Sequence, residues 1–251
     1  MYMKNIIKTI AFLVAVLLLA SCHKITSEGV TQITYYPSIT IIGGDLTIEL
    51  GTDFTDPGYI VMEGENDITS KTIVRGTVNT NKVGLYRLSY SATNVDGFSG
   101  SATRKVYVYD PSSSTDLSGT YTVDIGNSYR YQFSNGAIIK YSDMGDLFDG
   151  DFSEFTVELK PSFLPGYFSV TDMYGGYYYA GRNYDARYLM SGIIAFVEAD
   201  NSIILVDSFV PGWGDGLDGL DDGIYDPDTE TIEWGALYAD SYSFNVVLNK
   251  N

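Results

Sequence analysis

Between Leu85 and Ala92 the chain alternates with a period of two. Tyr86, Leu88, Tyr90 and Ala92 fall on one face, and Arg87, Ser89 and Ser91 on the other. Successive side chains of a strand point to opposite sides, so this stretch buries its apolar set only as part of a sheet. Asp96-Gly97 then marks a turn, and Ser99 to Tyr109 reads as the hairpin partner. Short alternating runs punctuated by Gly, Asp and Pro fill residues 37–110, with no long 3.6-residue period among them. About seven short strands in a stretch of this length predict an immunoglobulin-like β-sandwich.

Pro111-Ser112-Ser113-Ser114-Thr115 opens a polar linker over residues 111–116, and residues 117–251 form a second unit. Strand-like runs recur there at Tyr129–Phe133, Glu154–Leu159, Tyr167–Thr171, Arg187–Phe196, Ser202–Val206, Thr231–Trp234 and Ser243–Leu248. They predict an antiparallel meander, closed into a β-barrel or folded as a second β-sandwich. The fold class is all-β throughout.

The residue inventory narrows the chemistry. Cys22 is the only Cys, so no disulfide forms within the chain, and His23 is the only His. Ser-His-Asp triads, Cys-His pairs and His-based zinc sites need residues that the fold does not have. The net charge of −17 argues against nucleic acid as a partner and against a basic patch on anionic lipid. The acidity is uneven: from Asp116 onward there are 22 acidic and 6 basic residues, against 10 and 7 from His23 to Thr115. That asymmetry fits two separately built units.

The amino terminus reads as an address. Lys4 and Lys8 precede an apolar run from Ile10 to Ala20. The run is shorter than the roughly 20 residues that cross a bilayer and suits the core of a signal peptide, residues 1–21. Leu19-Ala20-Ser21-Cys22 resembles the lipobox of bacterial lipoproteins. The resemblance implies cleavage before Cys22, acyl chains on its thiol and amino group, and a stable membrane anchor. Residues 22–36 then serve as a tether. Anchored surface lipoproteins of gut Bacteroidota often carry an acidic cluster just after the Cys, where this chain has His23-Lys24-Ile25-Thr26-Ser27-Glu28. The expected place is the outer membrane, lipid-anchored, at the cell surface, with the periplasmic face left open.

Two further resemblances cover the folded part. Leu50-Gly51-Thr52-Asp53-Phe54-Thr55-Asp56-Pro57-Gly58-Tyr59 is similar to the signature of a bacterial immunoglobulin-like domain of surface proteins and some pesticidal crystal toxins. Asn66-Asp67-Ile68-Thr69, Gly76-Thr77-Val78-Asn79-Thr80 and Val83-Gly84-Leu85-Tyr86 continue it. The resemblance implies a spacer or adhesive module; Pro57-Gly58 itself needs only a turn. Asp172-Met173-Tyr174-Gly175-Gly176-Tyr177-Tyr178-Tyr179-Ala180-Gly181-Arg182-Asn183-Tyr184, Gly212-Trp213-Gly214-Asp215 and Tyr225 to Trp234 resemble the C-terminal domain of Bacteroidota lipoproteins encoded beside starch-utilisation-type uptake systems. That likeness implies an accessory component of nutrient uptake handling a glycan or peptide, with an outer-membrane transporter complex as partner.

Three constellations bear on chemistry. From Asp116 onward there are 14 Tyr, 9 Phe and 2 Trp. Neighbours on a strand alternate faces, so Tyr177, Tyr178 and Tyr179 in succession leave at least one ring outside. Exposed Tyr and Trp suit stacking on sugars or peptide side chains, which makes Tyr177, Tyr178, Tyr179, Arg182, Tyr184, Trp213 and Trp234 the candidate ligand-binding set. Gly-spaced Asp215, Asp218, Asp221 and Asp222 form an acidic loop that either wraps a calcium ion or is simply solvated, although the EF-hand order is absent. Glu154, Glu158, Glu198 and Glu233 supply carboxylates for glycoside hydrolysis but have no motif around them. The expected function is therefore binding without catalysis and without a resident cofactor. A structural subunit docked on a transporter is the alternative, and a glycoside hydrolase ranks third.

Overall fold

The computed structural model describes residues 34–134, 137–143 and 152–251. Residues 1–33, which take in the expected leader, Cys22 and most of the expected tether, lie outside the described residues. Among the described residues no helix is long and apolar enough to cross a membrane.

Seven strands build the first part. β1 (Pro37–Ile41), β3 (Tyr59–Glu63) and β4 (Asn66–Asp67) form one sheet. β2 (Leu46–Glu49), β7 (Ser99–Tyr109), β6 (Gly84–Thr93) and β5 (Ile73–Arg75) form the other in that order, with β2 parallel to β7. The alternating run lies in β6, and its partner is paired without a break from Gly84↔Val108 to Thr93↔Ser99. Leu88, Tyr90 and Ala92 are buried, as the periodicity requires, as are Val106 and Val108 of β7, and Val61 of β3 and Ile68 just after β4 pack with Ala92. This is an immunoglobulin-like sandwich.

The second part is a closed antiparallel barrel of eight strands. β8 (Gly119–Val123), β11 (Thr156–Pro161), β12 (Tyr167–Val170), β13 (Ser191–Val197), β14 (Ser202–Phe209), β15 (Gly219–Asp226), β16 (Thr231–Tyr238) and β17 (Tyr242–Lys250) follow one another around it. The register Leu248↔Val123 to Lys250↔Tyr121 returns β17 to β8 and closes the ring. A hairpin of β9 (Tyr129–Ser134) and β10 (Ala137–Asp143) is inserted after β8 and continues the sheet from the first half of β17. Between barrel and sandwich, the barrel is the one of the two predicted alternatives that forms. Its interior is filled by side chains such as Leu159, Phe168, Phe196, Ile232, Trp234 and Phe244, as expected of a ring of this size.

Two stretches differ from the sequence reading. Arg187–Phe196 is not one strand: Asp185 caps a short 3-10 turn, Ala186–Tyr188, and β13 begins only at Ser191. The acidic stretch after Trp213 is a loop only as far as Asp218, because β15 starts at Gly219 and pairs with β16. Gly and Asp disfavour strands intrinsically, but the ladder from β16 overrides that preference.

The sandwich and the barrel pack against each other. Tyr167, Ala195 and Val206 on the outer face of the barrel meet Val83, with Leu85 and Tyr107 alongside. The Tyr167 hydroxyl donates to the carbonyl of Val108 at 2.9 Å, and Lys105 Nζ lies 2.8 Å from Asp207. The linker is held too: Glu198 accepts from the N–H groups of Ser114 and Thr115, both at 2.6 Å, and from the Thr115 hydroxyl at 2.9 Å. Burial works to raise the Glu198 pKa, but these donors outweigh it and hold the carboxyl below its usual range.

Candidate functional site

One end of the barrel is closed by the connection from β12 to β13, and a single carboxylate organises it. Asp172 is fully buried. Its oxygens accept from the N–H groups of Tyr174 at 3.1 Å, Gly176 at 2.8 Å and Met190 at 3.0 Å, tying both ends of the connection together. Burial still dominates and raises its pKa to about 6. The chain then turns through Gly175 and Gly176 at φ +60° and +82°. A Cβ on Gly175 would stand 2.7 Å from Val246 Cγ1, inside the barrel, so the glycine lets the backbone seat directly on β17.

The next residues, Tyr177–Gly181, form one turn of π-helix rather than a strand. Tyr177, Tyr178 and Tyr179 therefore do not alternate between faces as strand residues would, although one ring does face out. Tyr177 is fully buried, Tyr178 nearly so, and Tyr179 is 42% exposed. Tyr177 lies within 3.2 Å of an Arg130 guanidinium nitrogen, and that guanidinium also sits 4.1 Å from the Tyr242 ring. Arg182 is exposed and hydrogen-bonds the hydroxyls of Tyr177 and Tyr184. Trp234 is a correction: it is fully buried, and its indole N–H donates to the carbonyl of Met173 at 2.9 Å. It supports the closing segment from beneath and offers no face to a ligand.

Over this buried layer the rings of Tyr178, Tyr184, Tyr188 and Trp213 form a closed circuit with centroid spacings of 5.5, 5.0, 4.9 and 4.7 Å. Tyr184 and Trp213 are 38% and 40% exposed. Trp213 is carried by the connection from β14 to β15. There a Cβ on Gly212 would meet the Tyr188 ring at 2.5 Å, and the Gly212 N–H donates to the carbonyl of Arg187. Tyr238 lies under Trp213 with its ring 5.7 Å away. Burial pushes the Tyr178 hydroxyl up to about 12 and raises Tyr174 and Tyr238 as well. These phenols stay neutral at physiological pH and act as stacking surfaces, with only the Tyr238 hydroxyl seen donating, to Asp215, among the described residues.

Beside the circuit runs a groove of about 590 Å³ lined by Glu154, Phe155, Thr156, Tyr179, Ala180, Asn183 and Tyr184. Two half-exposed rings thus border a carboxylate and an amide. Residue order points to Glu154 only as a hydrolytic carboxylate and gives Asn183, Tyr188 and Tyr238 no place in the site. The positive φ of Asn183, 54°, follows from its position just after the π-turn.

The acidic residues do not gather. Asp215 accepts from the Tyr238 hydroxyl at 3.0 and 3.1 Å, and Asp218 accepts from the N–H of Asp240. Asp221 is paired opposite Gly235 in β15, and Asp222 sits in the bulge that follows, at φ 48°. Among the described residues no group of three or more carboxylates, His or Cys is placed to hold a metal, so the calcium reading of this loop is corrected. The hydrolytic candidates are likewise dispersed. Glu158 on β11 pairs with Lys160, Glu198 holds the linker, and Glu233 on β16 lies 3.2 Å from the Asn245 amide.

Residues 110–250, more than half of the chain, match a family model whose description reads "-like, C-terminal domain". The chain belongs to this family. Residues 39–108 match the model described as "Bacterial surface protein, Ig-like domain". The lipoprotein BT2262 from Bacteroides thetaiotaomicron is 31% identical, over 86% of this chain and 100% of that one, with a TM-score of 0.43. A structure of the M60 catalytic domain with two CBM51 domains of Clostridium perfringens ZmpB matches at 19% identity over 56% of this chain and 14% of that one, TM-score 0.27. A second ZmpB structure, CBM51-2 in complex with GlcNAc and INT domains, matches at 15% identity over 85% and 44%, TM-score 0.26. No curated protein matches the sequence.

Proposed function

We propose that this protein is a lipid-anchored, non-catalytic accessory of nutrient uptake that binds a glycan on the aromatic end of its barrel. The observation that carries the reading is the circuit of Tyr178, Tyr184, Tyr188 and Trp213, continued by Tyr179 along the groove with Glu154 and Asn183. Rigid, partly exposed rings stack on the C–H faces of a sugar, and an adjacent carboxylate and amide take its hydroxyls. The rings are held by a buried layer beneath them, so little side-chain entropy is lost on binding.

Calorimetry of the chain from Cys22 onward with a panel of neutral oligosaccharides tests this. Tyr184→Ala and Trp213→Ala are each expected to weaken the best ligand by about tenfold or more, equivalent to about 1.4 kcal/mol, while the chain still melts cooperatively as a folded protein. Binding that is indifferent to both substitutions, or no binding by any sugar, overturns the assignment.

The organisation we infer is a leader over 1–21, a tether over 22–36, a sandwich over 37–110, a linker over 111–116 and a barrel over 117–251. The sandwich then holds the aromatic end away from an outer-membrane surface. The lipoprotein relative supports the anchor. Changing Cys22→Ser is expected to release the protein from the membrane fraction on cell lysis, and retention there would refute lipidation at that residue. Docking on an outer-membrane transporter is the uptake context, and co-purification from detergent-solubilised membranes tests it.

A further inference from the structure

The barrel is tied unevenly, and its weakest seam faces the sandwich. β13 and β14 are paired from Ser191↔Phe209 to Val197↔Ser202, and β15 and β16 from Gly219↔Leu237 to Asp226↔Thr231. Between β14 and β15, among the described residues, the only ladder pair is Ser202↔Ile224. Beside that pair, the Tyr225 N–H donates to the carbonyl of Asn201. At the opposite end the Leu217 N–H turns to the Ser208 hydroxyl, and the isolated bridge Val210↔Asp215 follows. Between these ties, Ile204, Leu205 and Asp207 are laddered to β13 and Leu220 and Asp221 to β16, on their outer sides only, with Val206 and Asp222 in the bulges. Strand backbone carries donors and acceptors on both edges, so each lip presents unladdered N–H and C=O groups toward the other.

A cleft of about 1000 Å³ lies over this seam. The sandwich forms one wall with Asn79, Asn81, Lys82 and Arg87, and the barrel forms the other with Asp218 and Asp222. The cleft is therefore bipolar, with cationic side chains on one side and carboxylates on the other. It stands apart from the aromatic end and owes nothing to Tyr179, Tyr184 or Trp213.

We propose that this cleft is a second binding site, for an extended peptide segment that pairs as a short strand along β14 at Ile204–Asp207. Strand addition matches the ligand's amides to an open edge, and the two charged walls read its side chains. The open length, about four residues at roughly 3.3 Å each, limits the paired segment to about 13 Å.

Hydrogen exchange of the chain from Cys22 onward tests it, with capped random-sequence peptides about six residues long as the probe. Bound peptides are expected to slow exchange on the order of tenfold at Ile204–Asp207, with no protection at Tyr179–Tyr184. The same peptides N-methylated at alternate amides lose the protection, since they cannot pair with a strand edge. Lys82→Glu, at an exposed position on the same wall, shifts the selected peptides from acidic toward basic, whereas Arg87 is already paired with Asp207 at 3.9 Å. Four results overturn the proposal: no protection by any peptide, equal protection by N-methylated peptides, protection confined to the aromatic end, or protection of the seam by oligosaccharides instead. Sugar binding at the aromatic end is measured separately, so either site can fail without the other.

Discussion

Replacing Arg104 with methionine is expected to destabilise the sandwich by about 3–5 kcal/mol, although the side-chain volume is nearly kept. Arg104 is fully buried. Its Nε donates to the Tyr90 hydroxyl at 3.2 Å, and its two terminal nitrogens donate to the carbonyls of Gly44 and Gly58. One of them also lies 3.1 Å from Asp56. Asp56 in turn accepts from the N–H of Gly58 at 2.9 Å and from the Tyr90 hydroxyl at 2.6 Å. Burial works to raise the Asp56 pKa, yet the Tyr90 hydroxyl, the Gly58 N–H and the Arg104 charge outweigh it and hold the carboxyl below its usual range. Removing the guanidinium strands a carboxylate and two carbonyls at the junction of the two sheets. Calorimetric melting of the folded chain checks this, and a fall in Tm of about 10 °C is expected for a protein of this size. A melting point that does not move would show the network to be dispensable. In the double variant Arg104→Met with Asp56→Ala, part of the loss is expected to return, because no unpaired charge is then left behind. The sign of the pH effect follows from the lowered carboxyl: stability from this pair is present above the usual carboxylate range and is lost as pH falls through the folded value.

That network also explains which parts of the molecule can be read from residue order. Ala102, Arg104, Val106 and Val108 share the inward face of β7, so the alternating pattern places Arg104 inside, and the Asp56-Pro57-Gly58 turn supplies its partner. Turn and strand signals are local, and the sandwich was legible from them. The barrel was legible as strands but not as a closed ring, because closure rests on β17 meeting β8 from the far end of the chain. The end of the barrel misled for a different reason. A run of three Tyr reads as strand until Gly175 and Gly176 turn the backbone left-handed ahead of it. The ring contacts of Tyr178 with Trp213 and of Tyr188 with Trp213 join segments far apart in sequence. Aromatic content announced a surface of this kind, but only folding decides which rings are support, as Trp234 is, and which are outward, as Trp213 is.

Asp172→Ala is the second large loss expected, about 3 kcal/mol or more, because three buried N–H groups lose their acceptor at once. Asp172→Asn is expected to be milder, about 1–3 kcal/mol. Its carbonyl replaces one oxygen, while its NH₂ group faces the Gly176 N–H donor that the other oxygen accepted. The pH dependence separates charge from geometry. The folded Asp172 has its pKa raised from 3.8 to about 6, so the folded protein holds this proton more tightly than the unfolded chain. Stability from the protonated group is present below about pH 4 and is lost as pH rises toward 6, by at most about 1.4 kcal/mol per pH unit, then stays level. Asp172→Asn has no such group, so its gap to the native protein is expected to be widest near pH 4 and to narrow to a plateau above pH 6. Urea midpoints across that range measure the gap, and one that widens with rising pH would mean that the three N–H donors outweigh burial. The same substitutions bear on function, because Asp172 fixes the segment that carries Tyr178 and Tyr184. Loosening it is expected to reduce the near-ultraviolet circular dichroism of the aromatic end and to weaken sugar binding with it, although Asp172 itself touches no ligand.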